Sequence, residues 1–408
     1  MKCRHCGAPL ALTLVDLGSA PPSNAFLTAE MLRQPERYFP LRVLVCESCW
    51  LVQTEDFADA HDLFDADYAY FSGYSSTWLA HAEDYVRGMV ERFGLDSTSY
   101  VVEVAANDGY LLQFVQARGI PCLGIEPTPA TAAAARVKKV PIIEDFFGAR
   151  LGQDLASNAR ADLIVANNVL AHVPDINDFV RGFTALLKPN GVATFEFAHV
   201  LSLITESQFD TIYHEHFSYL SLTAVVRVFS ENGLTVFDVE ELPTHGGSLR
   251  VFAARTDAGG HEVERRVREM LERETRAGLN TSTYYAGFQA KAERVKNEFL
   301  RFLLEANERG QVVAAYGAAA KGNTLLNFAG VRPDMIRFVA DANPAKQGRF
   351  LPGSRIPIVS EAKIRDVQPH YIVVLPWNLK AEVRSQLDYV RGWGGELVTA
   401  IPQLEVGA

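Results

Sequence analysis

Between residues 100 and 200, short apolar runs alternate with longer stretches in which apolar side chains recur every three or four positions. A short apolar run is typical of a buried strand, and the wider spacing is typical of an amphipathic helix. The runs predicted as strands are YVVEVA, CLGIEP, VPIIED, ADLIVANN and VATFEF. Because helical stretches separate them, the pattern predicts an α/β fold with a parallel, doubly wound sheet.

Different patterns flank this central region. Residues 1–75 combine paired cysteines with a segment rich in tyrosine and serine, and they are predicted to form a zinc-binding module. The helical pattern of WLAHAEDYVRGMVERF opens a domain predicted over residues 76–240. Further strands, two charged helical stretches and a second set of αβ units follow, so residues 241–408 are predicted to form a C-terminal Rossmann-like domain with connecting helices.

Composition narrows the range of partners. The chain has 408 residues, 48% of them hydrophobic, and a formal net charge of −10. An acidic balance disfavours nucleic acid, which requires a basic surface. No apolar run reaches the roughly 18 residues of a membrane span, and the start MKCRHCGAPL lacks the apolar core of a signal peptide. We therefore expect a cytoplasmic protein with reduced cysteines and with neither a membrane nor a nucleic-acid partner.

Four cysteines form two C-x2-C pairs. Cys3 and Cys6 make the first pair, and Cys46 and Cys49 make the second. A C-x2-C turn lets two thiolates reach one ion, and four thiolates complete the tetrahedral shell that zinc prefers. Since no coordination position is left open, the sequence predicts a structural zinc rather than a catalytic one; two unrelated pairs are the alternative.

The turn after the first central strand, VVEVAANDGYLL at residues 101–112, is the best-placed ligand turn. Methyltransferases that use S-adenosylmethionine carry E-x-G-x-G-x-G here, and this chain places in those positions Glu103, Ala105, Asn107 and Gly109. Alanine and asparagine are small enough for close approach, and asparagine tolerates left-handed backbone better than most residues. The degenerate motif alone is a weak signal.

Residues at the ends of the later strands strengthen it. A carboxylate such as Glu126 can accept hydrogen bonds from both ribose hydroxyls, while Asp145 can contact an adenine amine and Phe146 can pack on the ring. Each residue taken alone is better explained as a helix cap or a core aromatic than as a ligand contact. Together they predict an S-adenosylmethionine site, with NAD disfavoured because G-x-G-x-x-G is missing. The predicted contacts are Glu103, Asn107, Gly109, Tyr110, Glu126, Asp145, Phe146, Asn167 and Asn168.

The order of motifs resembles the family of sugar C-methyltransferases that act on nucleotide-linked 4-keto deoxysugars. After the cysteine pairs come EVAANDG, NNVLAHVPD, YHEHFSYLS, THGGSLRVF and YGAAAKGNTLLN. The resemblance covers essentially the whole chain. It implies a zinc-binding N-terminal module, a central class I methyltransferase domain using S-adenosylmethionine, and a second Rossmann-like domain that helps to hold the nucleotide sugar. It also implies methylation at C3 of a dTDP-linked 4-keto-6-deoxyhexose in deoxysugar and antibiotic biosynthesis.

The heptad YHEHFSY, residues 213–219, is predicted to carry the chemistry. Methylating a carbon next to a ketone requires a base and donors that stabilise the enolate oxygen. His216 is the preferred base, since neutral imidazole titrates near working pH; Tyr213 is its rival or a donor to the ketone. Glu215 orients the imidazole or binds a sugar hydroxyl, and His172 is a second candidate for contact with the keto oxygen. His214 is expected to pack, and a plain polar loop is the alternative for the whole heptad.

The nucleotide end of the substrate needs cations and backbone amides. HGGSLR offers His245, two glycines and Arg250, a bidentate phosphate ligand. The turn YGAAAKGN offers Lys321, Asn323 and the amides of a helix start; a structural turn or an NAD site is the alternative. The residues predicted to close over the sugar, or to form a hinge, are Tyr70, Ser72, Tyr74 and Ser75.

Other functions remain open at the level of the sequence. The nearest alternative is an O- or N-methyltransferase on a similar nucleotide sugar, followed by a non-catalytic protein that binds nucleotide sugars. A zinc-dependent methyltransferase that binds RNA is disfavoured by the acidic composition. We expect a monomer or a homodimer.

Overall fold

The computed structural model describes residues 1–57 and 71–407. The strands are β1 (Leu12–Ala20), β2 (Phe39–Val45), β3 (Val52–Thr54), β4 (Val101–Val104), β5 (Cys122–Ile125), β6 (Ile142–Ile143), β7 (Ala161–Asn167), β8 (Leu187–Ala198), β9 (Ser218–Tyr219), β10 (Leu234–Leu242), β11 (Ser248–Arg255), β12 (Val313–Tyr316), β13 (Val339–Ala340), β14 (Ile358–Val359), β15 (Tyr371–Val374), β16 (Glu396–Thr399) and β17 (Glu405–Val406).

The α-helices connect these strands. They are α1 (Ser76–Phe93), α2 (Leu112–Gln116), α3 (Pro129–Val137), α4 (Ala149–Ala156), α5 (Ile176–Leu186), α6 (Val200–Thr205), α7 (Leu222–Glu231), α8 (Arg265–Ala277), α9 (Ser282–Tyr285), α10 (Phe288–Glu308), α11 (Ala320–Ala329), α12 (Ala362–Val367) and α13 (Lys380–Gln386). Short 3-10 helices span Met31–Arg33, Ser72–Tyr74, Leu170–His172, Phe209–Thr211, Thr244–Gly246, Trp377–Leu379 and Asp388–Trp393.

The central sheet has the strand order β10-β11-β8-β7-β4-β5-β6. Strands β4 to β8 run parallel to one another, whereas β11 is antiparallel to both β8 and β10. All four residues of β4 are buried, as expected of a strand covered on both faces by helices. The predicted parallel, doubly wound sheet is therefore present, and the carboxyl ends of β4, β5 and β7 meet at one edge.

The predicted domain boundary at residue 240 falls within a hairpin of the central sheet. That position lies inside β10, which forms a hairpin with β11 from the Leu234–Arg255 pair to the Leu242–Ser248 pair. Because β11 also pairs with β8, the central sheet continues to Arg255. The hairpin has no helix between its strands, so its sequence does not follow the βα alternation of the earlier part of the sheet.

The N-terminal module is built on an antiparallel sheet with the order β1-β2-β3-β9. Its fourth strand comes from the middle of the chain, because Val52 pairs with Tyr219 and Gln53 with Ser218. A bridge between His199 and Leu220 ties the same segment to the end of β8. The heptad YHEHFSY therefore lies between the zinc-module sheet and the central sheet.

The C-terminal domain has a second sheet, with the order β14-β13-β12-β15-β16-β17. Its pairs are parallel except for the last, between β16 and β17. The charged helical stretches are α8 and α10, and α10 buries one apolar stripe at three- and four-residue spacing, formed by Phe288, Ala292, Val295, Phe299, Leu303 and Ala306. Among the described residues, no helix combines the length and apolar character needed to cross a membrane.

Candidate active site

The four cysteines come together as predicted. The sulfur atoms of Cys3 and Cys49 are 3.6 Å apart, those of Cys6 and Cys46 are 3.5 Å apart, and all four lie within 4.8 Å of one another. A tetrahedral zinc with bonds of about 2.3 Å separates its sulfur ligands by roughly 3.8 Å. The cluster therefore fits zinc, and the four thiolates that would hold it leave no position for a substrate.

A cleft of about 680 Å³ opens where the carboxyl ends of the central strands face the heptad and the start of α11. The predicted residues that line it are Ser72, Asn107, Tyr110, Glu126, Asp145, Phe146, Asn167, Asn168, His172, Tyr213, His216, His245 and Lys321. Residues from all three parts of the chain thus share one cleft.

The turn after β4 is held in place by Glu126. The backbone N–H of Asn107 donates to Glu126 Oε2 at 2.9 Å, and the N–H of Thr128 donates to Oε1 at 2.9 Å. Ala105 and Asn107, which replace two glycines of the usual motif, have left-handed backbone with φ of 58° and 50°. Such strain in non-glycine residues is typical of functional turns.

Gly109 combines left-handed backbone with close packing. Its φ is 72°, and an added Cβ would lie 3.0 Å from Val140 and 3.3 Å from Ala135. The turn can approach α3 this closely because the side chain is absent. Glu103 lies beneath the turn, 1% exposed, where burial and then the charges of Asp108 and Glu126 raise its pKa well above the usual value.

Asn167, at the end of β7, is the clearest sign of a ligand at this end. It is 8% exposed, and within the described part of the chain neither atom of its amide has a hydrogen-bond partner. A buried amide without partners is costly unless a ligand completes its bonds. Asp145 and Phe146 lie at the rim, where Asp145 forms an ion pair with Arg150 at 3.2 Å and Phe146 is 40% exposed.

Two imidazoles meet at the other end of the cleft. The ring centroids of His172 and His216 are 4.6 Å apart. His216 Nδ1 donates to the carbonyl of Thr211 at 2.9 Å, and His172 Nδ1 donates to the carbonyl of Glu215 at 2.7 Å. A carbonyl accepts hydrogen bonds and cannot donate them, so these contacts select the tautomers in which Nε2 is the basic nitrogen.

Both imidazoles are neutral at neutral pH. Burial lowers the pKa of His172 to about 4. Burial, followed by the neighbouring His172, lowers the pKa of His216 well below its usual value. The phenol ring of Tyr213 lies against His216, with centroids 4.0 Å apart. An imidazole and a phenol are thus adjacent in the cleft.

The carboxylate of Glu215 is engaged away from the imidazoles. It accepts hydrogen bonds from the hydroxyl of Ser23 at 3.0 Å and from the side-chain amide of Asn24 at 3.0 Å. Glu215 orients His172 through its backbone carbonyl and not through its carboxylate, so the predicted contact of the carboxylate with imidazole or sugar is not retained. His214 packs as expected, edge-on to Phe39 with centroids 5.9 Å apart.

Arg250 is not among the residues that line the cleft. Its guanidinium is paired with Glu196 at 3.1 Å and with Glu240 at 3.3 Å, and it stacks on Tyr85. With its charge compensated by two buried or partly buried carboxylates, its predicted role as a phosphate ligand is not retained. His245 of the same turn does line the cleft, in left-handed backbone with φ of 54°.

The C-terminal domain contributes two lysines. Lys321 donates to Asn378 Oδ1 at 2.9 Å and lies over the indole of Trp377, and burial lowers its pKa to about 8. Lys346, which the sequence did not single out, lines the cleft and donates to the carbonyl of Ala318 at 2.8 Å. Asn323 instead holds the N-terminal module, its Nδ2 donating to the carbonyl of Ser23 at 2.5 Å.

The tyrosine- and serine-rich segment is divided. Ser72 lines the cleft, and its backbone N–H donates to Asn107 Oδ1 at 2.9 Å. Ser75 caps α1, accepting from the N–H of Trp78 at 3.2 Å, which corresponds to a structural role. Tyr70 and the side chain of Tyr74 lie outside the described residues.

Several cleft residues were missed by the sequence. Trp78 was recognised only as part of a helix, yet its ring lies between those of His81 and His245, with centroids 4.8 and 5.2 Å away. Asn24 and Ser218 also line the cleft, and neither was among the predicted site residues. Exposed aromatic character at the start of a helix was the one available signal for Trp78.

The central sheet, with its antiparallel β11 and a ligand cleft at the carboxyl ends of its parallel strands, defines a class I methyltransferase domain. Family models agree along the chain: "Putative zinc binding domain" matches residues 3–64, "Methyltransferase domain" matches 78–239, and "C-methyltransferase C-terminal domain" matches 243–402. The chain is 36% identical over 406 residues to C-methyltransferase NovU of Streptomyces niveus, covering 99% of this chain and 96% of that one. This chain therefore belongs to the C-methyltransferase family.

More distant similarities are confined to part of the chain. A ubiquinone biosynthesis O-methyltransferase of Methylobacterium sp. (strain 4-46) is 25% identical over 40% of this chain and 70% of its own. The PH0226 protein of Pyrococcus horikoshii OT3 is 13% identical, with a TM-score of 0.39 over 49% of this chain and 100% of that one. The full-length match confirms the predicted fold, an enzyme of the methyltransferase class, and the cofactors S-adenosylmethionine and structural zinc.

Proposed function

We propose that the enzyme removes the proton from C3 of a dTDP-linked 4-keto-6-deoxyhexose and methylates that carbon. The observation that carries the proposal is the arrangement of His216. Its Nδ1 donates to the carbonyl of Thr211, and its ring lines the same cleft as Asn107 and Glu126. A neutral imidazole whose basic nitrogen is left for the substrate, in one cleft with the cofactor turn, suits deprotonation followed by transfer.

Carbon methylation demands more than a base. A proton next to a ketone is roughly ten pK units less acidic than an imidazolium, a gap of about 14 kcal/mol at 1.4 kcal/mol per unit. Preorganised hydrogen-bond donors at the enolate oxygen have to supply much of this free energy. Tyr213 lies against His216, so its hydroxyl is placed to donate to the oxygen while His216 takes the proton. His172 adjoins His216, but its ring N–H is already donated to the carbonyl of Glu215, so it is not the donor.

The cofactor end follows from the turn after β4. S-adenosylmethionine, when bound, supplies an electrophilic methyl group on a sulfonium centre. Glu126 would accept the ribose hydroxyls, and the unpaired amide of Asn167 would complete its hydrogen bonds on the cofactor. These residues bind and orient, and the apolar wall formed by Phe147 and Phe179 excludes water from that side.

The diphosphate of the substrate is assigned to the C-terminal domain. Lys321 and Lys346 line the cleft there, together with Ala319 and Ala320 at the start of α11. Two ammonium groups and the amides of a helix N-terminus favour an anion. His245, across the cleft, is neutral because burial lowers its pKa to about 4, so it can accept or donate to a sugar hydroxyl.

Hydrogen exchange tests the proposal directly. The zinc-loaded enzyme, incubated in D2O with dTDP-4-keto-6-deoxyglucose and without a methyl donor, should introduce deuterium at C3, detected by NMR. With the donor added, labelled methyl should appear on carbon. Transfer to oxygen or nitrogen without exchange would instead identify an O- or N-methyltransferase, and binding without either reaction would identify a non-catalytic protein.

A further inference from the structure

The heptad is held by the zinc-binding module as well as by its own domain. The hydroxyl of Thr54, at the end of β3, donates to the carbonyl of His216 at 2.5 Å. The backbone N–H of Thr54 donates to the carbonyl of Phe217 at 3.1 Å. The pairing of β3 with β9 then continues this attachment to Tyr219. The main chain that follows the His216 side chain is thus fixed to the antiparallel sheet of the zinc-binding module.

The zinc-binding module also holds the heptad through hydrogen bonds to the carboxylate of Glu215. The hydroxyl of Ser23 reaches both carboxylate oxygens at 3.1 and 3.0 Å, and the backbone N–H and side-chain amide of Asn24 reach Oε1 at 3.2 and 3.0 Å. Glu215 is 1% exposed and Ser23 is 3% exposed. Since these donors replace water around a buried carboxylate, losing any one of them is costly.

Glu215 in turn contacts the two imidazoles of the cleft. The carbonyl of Glu215 accepts from His172 Nδ1 at 2.7 Å, and the His172 ring lies 4.6 Å from that of His216. Moving Glu215 therefore moves the acceptor that sets the orientation of one ring and the partner against which the other ring packs. The C-terminal domain also holds Ser23 in place, because Asn323 Nδ2 donates to the carbonyl of Ser23 at 2.5 Å.

We propose that the zinc-binding module is a positioning element of the active site, and that Ser23 and Thr54 are positioning residues that aim His216 and His172. The proposal rests on the proposed function in treating these imidazoles as the reacting groups. The zinc then has an effect on the reaction without touching the substrate, because it holds the module that carries both hydroxyls, Thr54 at the end of β3 and Ser23 in the turn after β1.

The test uses the full-length, zinc-loaded enzyme in two variants that each remove one hydroxyl, Ser23→Ala and Thr54→Val. The matched control is Ser19→Ala, an exposed hydroxyl of the same module. In both test variants, the rate of deuterium incorporation at C3 of dTDP-4-keto-6-deoxyglucose and kcat should fall about tenfold or more. KM for the sugar and zinc content should stay close to those of the control, and the lost hydrogen bond should lower Tm without unfolding the enzyme at the assay temperature.

A second readout does not require the reaction. Long-range ¹⁵N–¹H spectra of histidine-labelled protein report the tautomer of each imidazole, and the His172 and His216 signals should change in both test variants and not in the control. Unchanged spectra and rates, or rates that fall only in parallel with zinc content and Tm, would overturn the positioning role. Absence of exchange in the wild-type enzyme would refute the proposed function alone, because the spectra still decide the positioning role.

Discussion

The cofactor end of the cleft and its substrate end are assembled in different ways. At the cofactor end, Asn107, Glu126 and Asn167 all follow strands of one parallel sheet, within a single domain. At the substrate end, the heptad is fixed by Ser23 and Thr54 of the zinc-binding module, and it faces Lys321 of the C-terminal domain. One end is built mainly within one domain, with Ser72 of the N-terminal segment donating to Asn107, and the other exists only when three parts of the chain are docked.

Because the two ends are assembled differently, we expect substitutions to impair either deprotonation of the sugar or binding of the cofactor. A change that loosens the packing between domains should disturb deprotonation of the sugar while the cofactor turn, internal to its sheet, still binds. A change inside the turn should do the reverse. Affinity for S-adenosylhomocysteine and exchange at C3 without a methyl donor report the two ends independently, so each variant below is measured by both.

The largest effect is expected from Cys46→Ser. Loss of one of four thiolates should release zinc and lower the free energy of unfolding by several kcal/mol, because structural zinc contributes directly to folding. Zinc content and Tm should fall first, and exchange at C3 should follow, whereas S-adenosylhomocysteine affinity should be the last property to change. Wild-type stability in a zinc-free variant would contradict the structural role. The matched control is Cys122→Ser, outside the cluster.

His216→Ala should impair the chemistry at the substrate end and leave cofactor binding intact. Removing the base should lower kcat by about a hundredfold or more and abolish exchange at C3, because general-base catalysis contributes on that order. S-adenosylhomocysteine affinity, measured by calorimetry, should change little. Tyr213→Phe serves as the comparison. If its loss of exchange exceeds that of His216→Ala, the phenol is the base and the imidazole its neighbour.

Gly109→Ala should damage the cofactor end and leave exchange nearly intact. The new Cβ would lie 3.0 Å from Val140 at a φ of 72°, which combines backbone strain with a steric conflict. We expect S-adenosylhomocysteine affinity to fall about tenfold, or roughly 1.4 kcal/mol. Gly119→Ala is the control, because Gly119 has a φ of 70° but nothing within 4 Å of the added Cβ. Equal losses in the two variants would mean that strain alone, and not packing on α3, is responsible.

The same contrast explains what the sequence could predict. Carboxyl ends of parallel strands meet at one edge, so Glu126 and Asn167 could be placed together from the strand pattern. The four-cysteine cluster followed from spacing. Arg250 and Asn323 were assigned to substrate because their buried partners, Glu196 and Ser23, lie far away in the chain. No local pattern records which distant residue neutralises a guanidinium or accepts from an amide.

Lys346 and Trp78 are the opposite case, because they line the cleft but were not predicted from the sequence. Lys346 lines the cleft through a loop after β13, and Trp78 through the first turn of α1. Lys346 becomes a cleft residue through docking of the C-terminal domain, whereas Trp78 becomes one through the packing of α1 against Tyr110 and His245. Sequence patterns therefore predicted the sheets and the cofactor turn, and they identified the heptad, but not the contacts that hold it.

The smallest expected effect is a shift in pH dependence, which reports the link between the two domains at Trp377. The indole N–H donates to Asp210 Oδ2 at 2.7 Å, while Lys321 lies over the same ring, 4.6 Å from its centroid. Burial lowers the pKa of Lys321 to about 8, and the nearby charge of Asp210 opposes that decrease. Burial raises the pKa of Asp210 itself to about 7, so its carboxyl is largely ionised at pH 8.

The sign of the pH effect follows from these charges. As pH rises through 8, Lys321 loses the charge proposed to hold the diphosphate, so kcat/KM, which reports the free enzyme, should fall on the alkaline side. Asp210→Asn removes the carboxylate that keeps Lys321 charged, and the alkaline limb should move to lower pH by about half a unit to one unit. On the acid side, His216 has a pKa well below its usual value, so activity should not drop near pH 6.5. An alkaline limb that stays in place in Asp210→Asn would show that Lys321 does not set it, and the diphosphate would then have to be held by Lys346 and the amides of α11.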